Sequence, residues 1–89
     1  MNEYQKFREY AFSFLHNQKR GGFSISVKEF ESCIAIYYGG KWIASVSINK
    51  GERERPLLFD DGIGYASETA SADIAIRYLR ELLNNAWWD

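Results

Sequence analysis

The sequence predicts an α+β fold of two layers: an antiparallel sheet of three to four strands with two helices packed on one face, in the order α-β-β-β-(β)-α. Three observations predict it. Amphipathic helical patterns bracket the chain, alternating apolar and polar residues fill its middle, and a Gly-Gly pair separates two of the alternating runs. With 89 residues there is room for one domain, assigned to residues 1–89. A composition 46% hydrophobic and 17% aromatic supplies the apolar mass that a small core needs.

The first helix is expected over residues 2–19. Asn2 can cap the amide of Gln5 and Gln5 can reach back, a form of the capping box. Steps of 100° gather Tyr4, Phe7, Ala11, Phe14 and Leu15 on one face. Lys19 and Arg20 suit its C-terminal end, and Gly21-Gly22 are expected to stop it.

Residues 23–28 alternate as a strand covered on one side, and a turn through 29–32 leads to a second strand over 33–38. Gly39-Gly40 marks a hairpin into residues 42–48. A two-residue loop would pair Tyr38 with Lys41 and leave branched side chains on both faces. A three-residue loop pairs Tyr38 with Trp42. It collects Ile34, Ile36, Tyr38, Trp42, Ala44, Val46 and Ile48 on one face, with Cys33, Ala35, Tyr37, Ile43, Ser45 and Ser47 on the other. The second register is preferred, since only it separates an apolar face from a small, polar one.

The charged run 49–56 reads as an exposed loop, residues 57–59 as a short edge strand, and 60–64 as a turn. The second helix is expected from Ser67 or Thr69 to residue 85. Its face is Ala72, Ala75, Ile76, Leu79, Leu82, Leu83 and Ala86. Both helices then cover the apolar side of the sheet, and the Ser- and Ala-rich side is left open.

The hairpin segment IAIYYGGKWIASVSI and the run Ala66–Leu79 (ASETASADIAIRYL) resemble the middle strands and last helix of the double-stranded-RNA-binding domain. In the second segment the resemblance lies in the placing of Ala70, Ala75 and Leu79. It implies an αβββα scaffold and, as an alternative function, a nucleic-acid-binding module. The family's phosphate-holding lysines align here with Ser67, Glu68 and Ser71, and residues 28–32 hold no counterpart of its loop histidine. Beside Asp60 and Asp61, Glu68 would repel phosphate.

Charge and chemistry narrow the remaining classes. Eleven basic against twelve acidic residues give a net charge of −1, without the basic excess of a general nucleic-acid binder. One cysteine, Cys33, leaves no intramolecular disulfide, and one histidine, His16, offers little for a metal. No cofactor, no metal and no catalytic residue are expected, because Cys33 and His16 fall on different sides of the predicted layers. No membrane span is read from the sequence, and the charges among the first ten residues do not suit a signal peptide, so a cytoplasmic protein is expected.

The expected function is therefore a non-enzymatic protein-interaction domain. Its size and lack of a reactive site fit small inhibitors that phage and mobile elements direct at host nucleic-acid-handling proteins, anti-CRISPR proteins among them. Two features would make the contact. Between Asp60 and Ile76 the chain carries Asp60, Asp61, Glu68 and Asp73 with no Lys or Arg, an acidic stretch suited to a basic partner surface. Tyr37, Ile43, Ile74, Tyr78 and Trp88 exceed the needs of a core and form the expected aromatic and aliphatic patch. Self-association through the outer sheet face or an edge strand is a related expectation.

Overall fold

The computed structural model describes residues 1–84. Two helices and six strands follow one another as α1 (Glu3–Tyr10), a π-helical turn (Ala11–Leu15), β1 (Lys19–Arg20), β2 (Phe23–Phe30), β3 (Cys33–Tyr38), β4 (Lys41–Ile48), β5 (Leu57–Asp60), β6 (Ala66–Thr69) and α2 (Ala72–Leu83). The strands form one antiparallel meander in sequence order. The α+β class and the helix-strand-helix order are as expected; the sheet has six strands where three to four were expected.

The first correction lies at the end of the first helix. The capping box forms, with Asn2 Oδ1 accepting from Gln5 N at 2.8 Å and Gln5 Oε1 accepting from Asn2 N at 3.0 Å. After Tyr10 the helix widens, and His16 N donates to Ala11 O, five residues back. Leu15 stays in the core, but Phe14, expected on the apolar face, is 65% exposed. A step of 100° no longer describes a helix with more residues per turn. The chain then leaves the helix and Lys19–Arg20 pairs with Phe23–Ser24, so Gly21 and Gly22 form a hairpin turn at φ 56° and 89° rather than a helix stop.

Both hairpin registers weighed for β3 and β4 are present in part. Gly39 and Gly40 make a two-residue turn, pairing Tyr38 with Lys41 and Tyr37 with Trp42. A bulge then absorbs Ile43, and from Ile36↔Ala44 onward the ladder follows the register of a three-residue loop. This corrects two placements. Trp42 joins Tyr37 on the outer face, and Ile43, expected outside, is 2% exposed within the core.

Residues 57–60 are an interior strand rather than an edge, because β6 pairs along them. The residues expected to cap the last helix, Ser67 and Thr69, lie in that strand. The cap is Ser71, whose Oγ accepts from Ile74 N at 3.3 Å. The Glu3 carboxylate, from the far end of the chain, accepts from Ala72 N at 2.8 Å.

The core lies between the sheet and both helices. Phe7, Ala11 and Leu15 from the first helical segment and Ala72, Ala75, Leu79, Leu82 and Leu83 from α2 share one cluster with Ile25, Val27, Ile34, Ile36, Ala44, Val46, Leu57 and Phe59. Every strand residue in that second group lies on the inner face, so the two-layer arrangement holds. The edge strand β1 is too short to satisfy all of β2. Asn17 N donates to Ile25 O, Ile25 N to Gln18 O, and Val27 N to Nδ1 of His16 at 3.0 Å. An imidazole thus stands in for the next carbonyl of the ladder.

Candidate interaction surface

The pairing register arranges the outer face of the sheet in three rows running across the strands. The middle row is Lys28, Ala35, Ser45, Asp60 and Ala66. On one side lie Phe30, Cys33, Ser47, Leu58 and Glu68, and on the other Ser26, Tyr37 and Trp42. Small residues occupy the centre; aromatic and aliphatic side chains stand at the ends. None of these side chains belongs to the core cluster formed with the helices. Phe30 is 53% and Trp42 39% exposed. The Lys28 ammonium sits 4.9 Å from the centre of the Tyr37 ring, which ties two outer-face side chains together.

Cys33 is half-buried in this face. Burial pushes its thiol up, the Asp60 carboxylate adds to that, and a hydrogen bond with Ser45 partly offsets both. The thiolate, the nucleophilic form, is therefore disfavoured. His16 already accepts a backbone amide through Nδ1, so its neutral ring carries the proton on Nε2. The His16 ring packs against Phe12, with centroids 5.9 Å apart.

The acidic stretch is divided: Asp60 and Glu68 share the outer sheet face, Asp61 lies in the β5–β6 turn and Asp73 stands on α2. Asp60 Oδ1 accepts from Gly62 N at 2.9 Å, and Asp61 Oδ1 accepts from Ile63 N and Tyr65 N at 3.0 and 3.1 Å. These two carboxylates shape the β5–β6 turn. Glu68 accepts from Asn49 Nδ2 at 2.6 Å and lies 3.9 Å from Arg55. Asp73 stands in the first turn of α2, where a negative charge suits the helix end. Among the described residues no group of three or more His, Cys, Asp and Glu side chains could hold a metal ion.

The expected aromatic patch is likewise divided between the layers. Tyr37 lies on the outer sheet face, whereas Tyr78 packs edge-on against Phe59 of the inner face at 5.7 Å, and Ile74 is half-buried on α2. Ile43 is in the core, and Trp88 lies outside the described residues. Sequence reasoning missed Trp42, Phe30 and Leu58 as outer-face residues. The signal for Phe30 and Leu58 was available, since extending the alternation of residues 23–28 and of Leu57-Leu58-Phe59 places them there. Trp42 was hidden by the bulge.

Clefts lie beside both helices. The cleft of about 630 Å³ between the π-helical turn and α2 is lined by Tyr10, Phe14, Leu15, Arg20 and Arg80 and ends at Asn84, which accepts from Arg20 Nη2 at 2.7 Å. No helix among the described residues is long and apolar enough to cross a membrane. No protein-family model, curated protein or solved structure matches the chain.

Proposed function

We propose that this protein is a non-enzymatic binding module that lays the open face of its sheet against another protein. One observation carries the reading: Tyr37, Trp42, Phe30 and Leu58 frame a floor of Ala and Ser on a face that the helices leave uncovered. Aromatic anchors around a floor of small side chains allow close approach and concentrate binding energy. The chemistry of Cys33 and His16 supports a role other than catalysis, since one holds its proton and the other is committed to the ladder. An inhibitor of a host nucleic-acid-handling protein, acting in the cytoplasm, is the specific form of this reading. Asp60, in the middle row of the face, would then favour a basic partner surface.

The test compares capture by the wild-type chain with capture by Tyr37→Ala and Trp42→Ala, using Phe14→Ala and Asp73→Lys on the helical layer as controls. Partners lost with the first pair and kept with the second support the reading. Partners kept by Tyr37→Ala and Trp42→Ala overturn it. So does duplex RNA binding with a steep salt slope that changes at Lys19, Arg20 and Lys41 abolish, which would favour the nucleic-acid module.

A further inference from the structure

We propose that the open face pairs with the same face of a second copy, in a two-fold dimer whose axis runs along the strands between β3 and β4. The inference rests on the reading that this face is the contact surface, and names its occupant. Such an axis carries each residue of a row onto the residue at the mirror position across the strands. In the middle row the mirror of Lys28 is Asp60, and the mirror of Ala35 is Ser45. In the next row Phe30 falls over Leu58 and Cys33 over Ser47. On the other side Tyr37 falls over Trp42.

Each of these superpositions is chemically matched. Cation meets anion twice, ring meets ring twice and aromatic meets aliphatic twice, and along the axis the small residues Ala35, Ser45, Cys33 and Ser47 oppose one another beside the ring pair. A self-complementary patch of this kind is what an isologous interface requires. The opposed sheets would stack about 10 Å apart, and an axis inclined by about 15° to the strands sets the two sheets at the angle of about 30° usual for aligned sheets. Lys28 and Asp60 are separated by three strand spacings, about 14 Å, where a turn of that size displaces partners by roughly one residue along the strand. The long Lys28 side chain can span that displacement.

Size sets the expected strength. Four strands about 4.8 Å apart and about 20 Å long offer a face of roughly 400 Å² in plan, and two such faces fall below the 1,200–2,000 Å² of stable interfaces. The dimer is therefore a weak one, populated at tens to hundreds of micromolar, and weaker at high salt.

Sedimentation velocity from about 1 μM to 1 mM reads it directly. The wild-type chain should move from 10.4 kDa toward twice that mass as concentration rises. Alkylation of Cys33 should slow over the same range as the thiol is covered. Lys28→Glu and Asp60→Lys should each weaken pairing tenfold or more, and an equimolar mixture of the two should restore it, because each variant supplies the charge the other lacks. Asp60→Asn keeps an acceptor for Gly62 N and should weaken pairing without disturbing the turn, with far-UV circular dichroism as the check on folding. A chain that stays monomeric at 1 mM overturns the proposal. If Tyr37→Ala and Trp42→Ala still abolish capture of another protein, the binding reading survives that failure. A dimer indifferent to both charge reversals overturns the proposal as well.

Discussion

The amino end of α2 has, besides its cap Ser71, a second cap from the opposite end of the chain, and removing that second cap measures how far α1 and α2 hold each other in place. Glu3 Oε1 accepts from Ala72 N at 2.8 Å, while Lys6 Nζ lies 3.0 Å from Glu3 Oε2. Glu3→Ala removes a charge-assisted bond and a favourable charge at a helix N-terminus. The first is worth about 1.5–3 kcal/mol when buried and the second about 0.3–1 kcal/mol. The side chain is about a quarter exposed, so a loss of about 1–2 kcal/mol is expected. Glu3→Gln keeps an acceptor and should lose about 0.5–1 kcal/mol, the part due to charge.

The pH dependence fixes the sign. The bond from Ala72, then that from Lys6, holds the Glu3 carboxyl below its ordinary value of 4.5, against a smaller opposing effect of burial. A carboxyl with a depressed folded pKa contributes stability that is present above the unfolded value and is lost as pH falls through the folded one. Urea unfolding at pH 7 should separate wild type from Glu3→Gln, and the gap should be narrower at pH 3, because the stabilisation is lost as pH falls below 4.5 and through the depressed folded pKa. A gap of equal size at both pH values would refute the electrostatic argument. No loss in Glu3→Ala at pH 7 would refute the cap itself.

Three further outcomes are expected. His16→Ala should cost about 1–2 kcal/mol by orphaning the part-buried Val27 N, and His16→Asn, whose Oδ1 can take the place of Nδ1, should recover part of it; equal losses in urea would disprove the acceptor role. Gly62→Ala should destabilise more than Gly64→Ala: both glycines have positive φ (77° and 99°), but a Cβ at Gly62 would stand 2.9 Å from the Ile43 carbonyl oxygen while one at Gly64 meets nothing. Burial, then the Glu29 carboxylate, pushes the Tyr4 phenol from 10.0 up to about 12, so stability present below pH 10 should fall as pH rises toward 12, and Tyr4→Phe should flatten that fall in alkaline urea titrations.

How much was legible follows from where the chain obeys a single period. From Ala72 to Leu83 the 3.6-residue pattern is unbroken, and the buried face of α2 matches the expected one from Ala72 through Leu83, with Ile76 at its half-buried margin. In the first helix the same arithmetic finds Phe7, Ala11 and Leu15 but fails at Phe14, because the turn around it is wider than 100° steps assume. The hairpin Arg20-Gly21-Gly22-Phe23 carries the same Gly-Gly signal as Tyr38-Gly39-Gly40-Lys41, yet the basic pair before it also reads as a helix end. Local chemistry could not decide between them. Pairing along β2 did. Ser67 and Thr69 were reasonable caps by residue type, and lost to Ser71 because β5 had an unpaired edge that residues 66–69 fill.

The bulge at Ile43 connects these local conflicts to the surface. A two-residue Gly-Gly turn imposes one register, and the branched residues of β3 and β4 demand the other. Keeping the first register throughout would have set Ile43 beside Ile36 but sent Ala44 and Val46 to the outer side with Ala35 and Cys33. One extra residue satisfies both demands, and its position decides which side chains are left over. Tyr37 and Trp42 precede the bulge and face outward, Ile43 is folded into the core, and beyond it Ala35, Ser45, Cys33 and Ser47 form the floor of the open face. The ring pair and the small-residue floor therefore have one cause. Moving the bulge would scatter both, so the surface that the binding proposals use is set by the competition between turn geometry and core burial rather than by any motif along the chain.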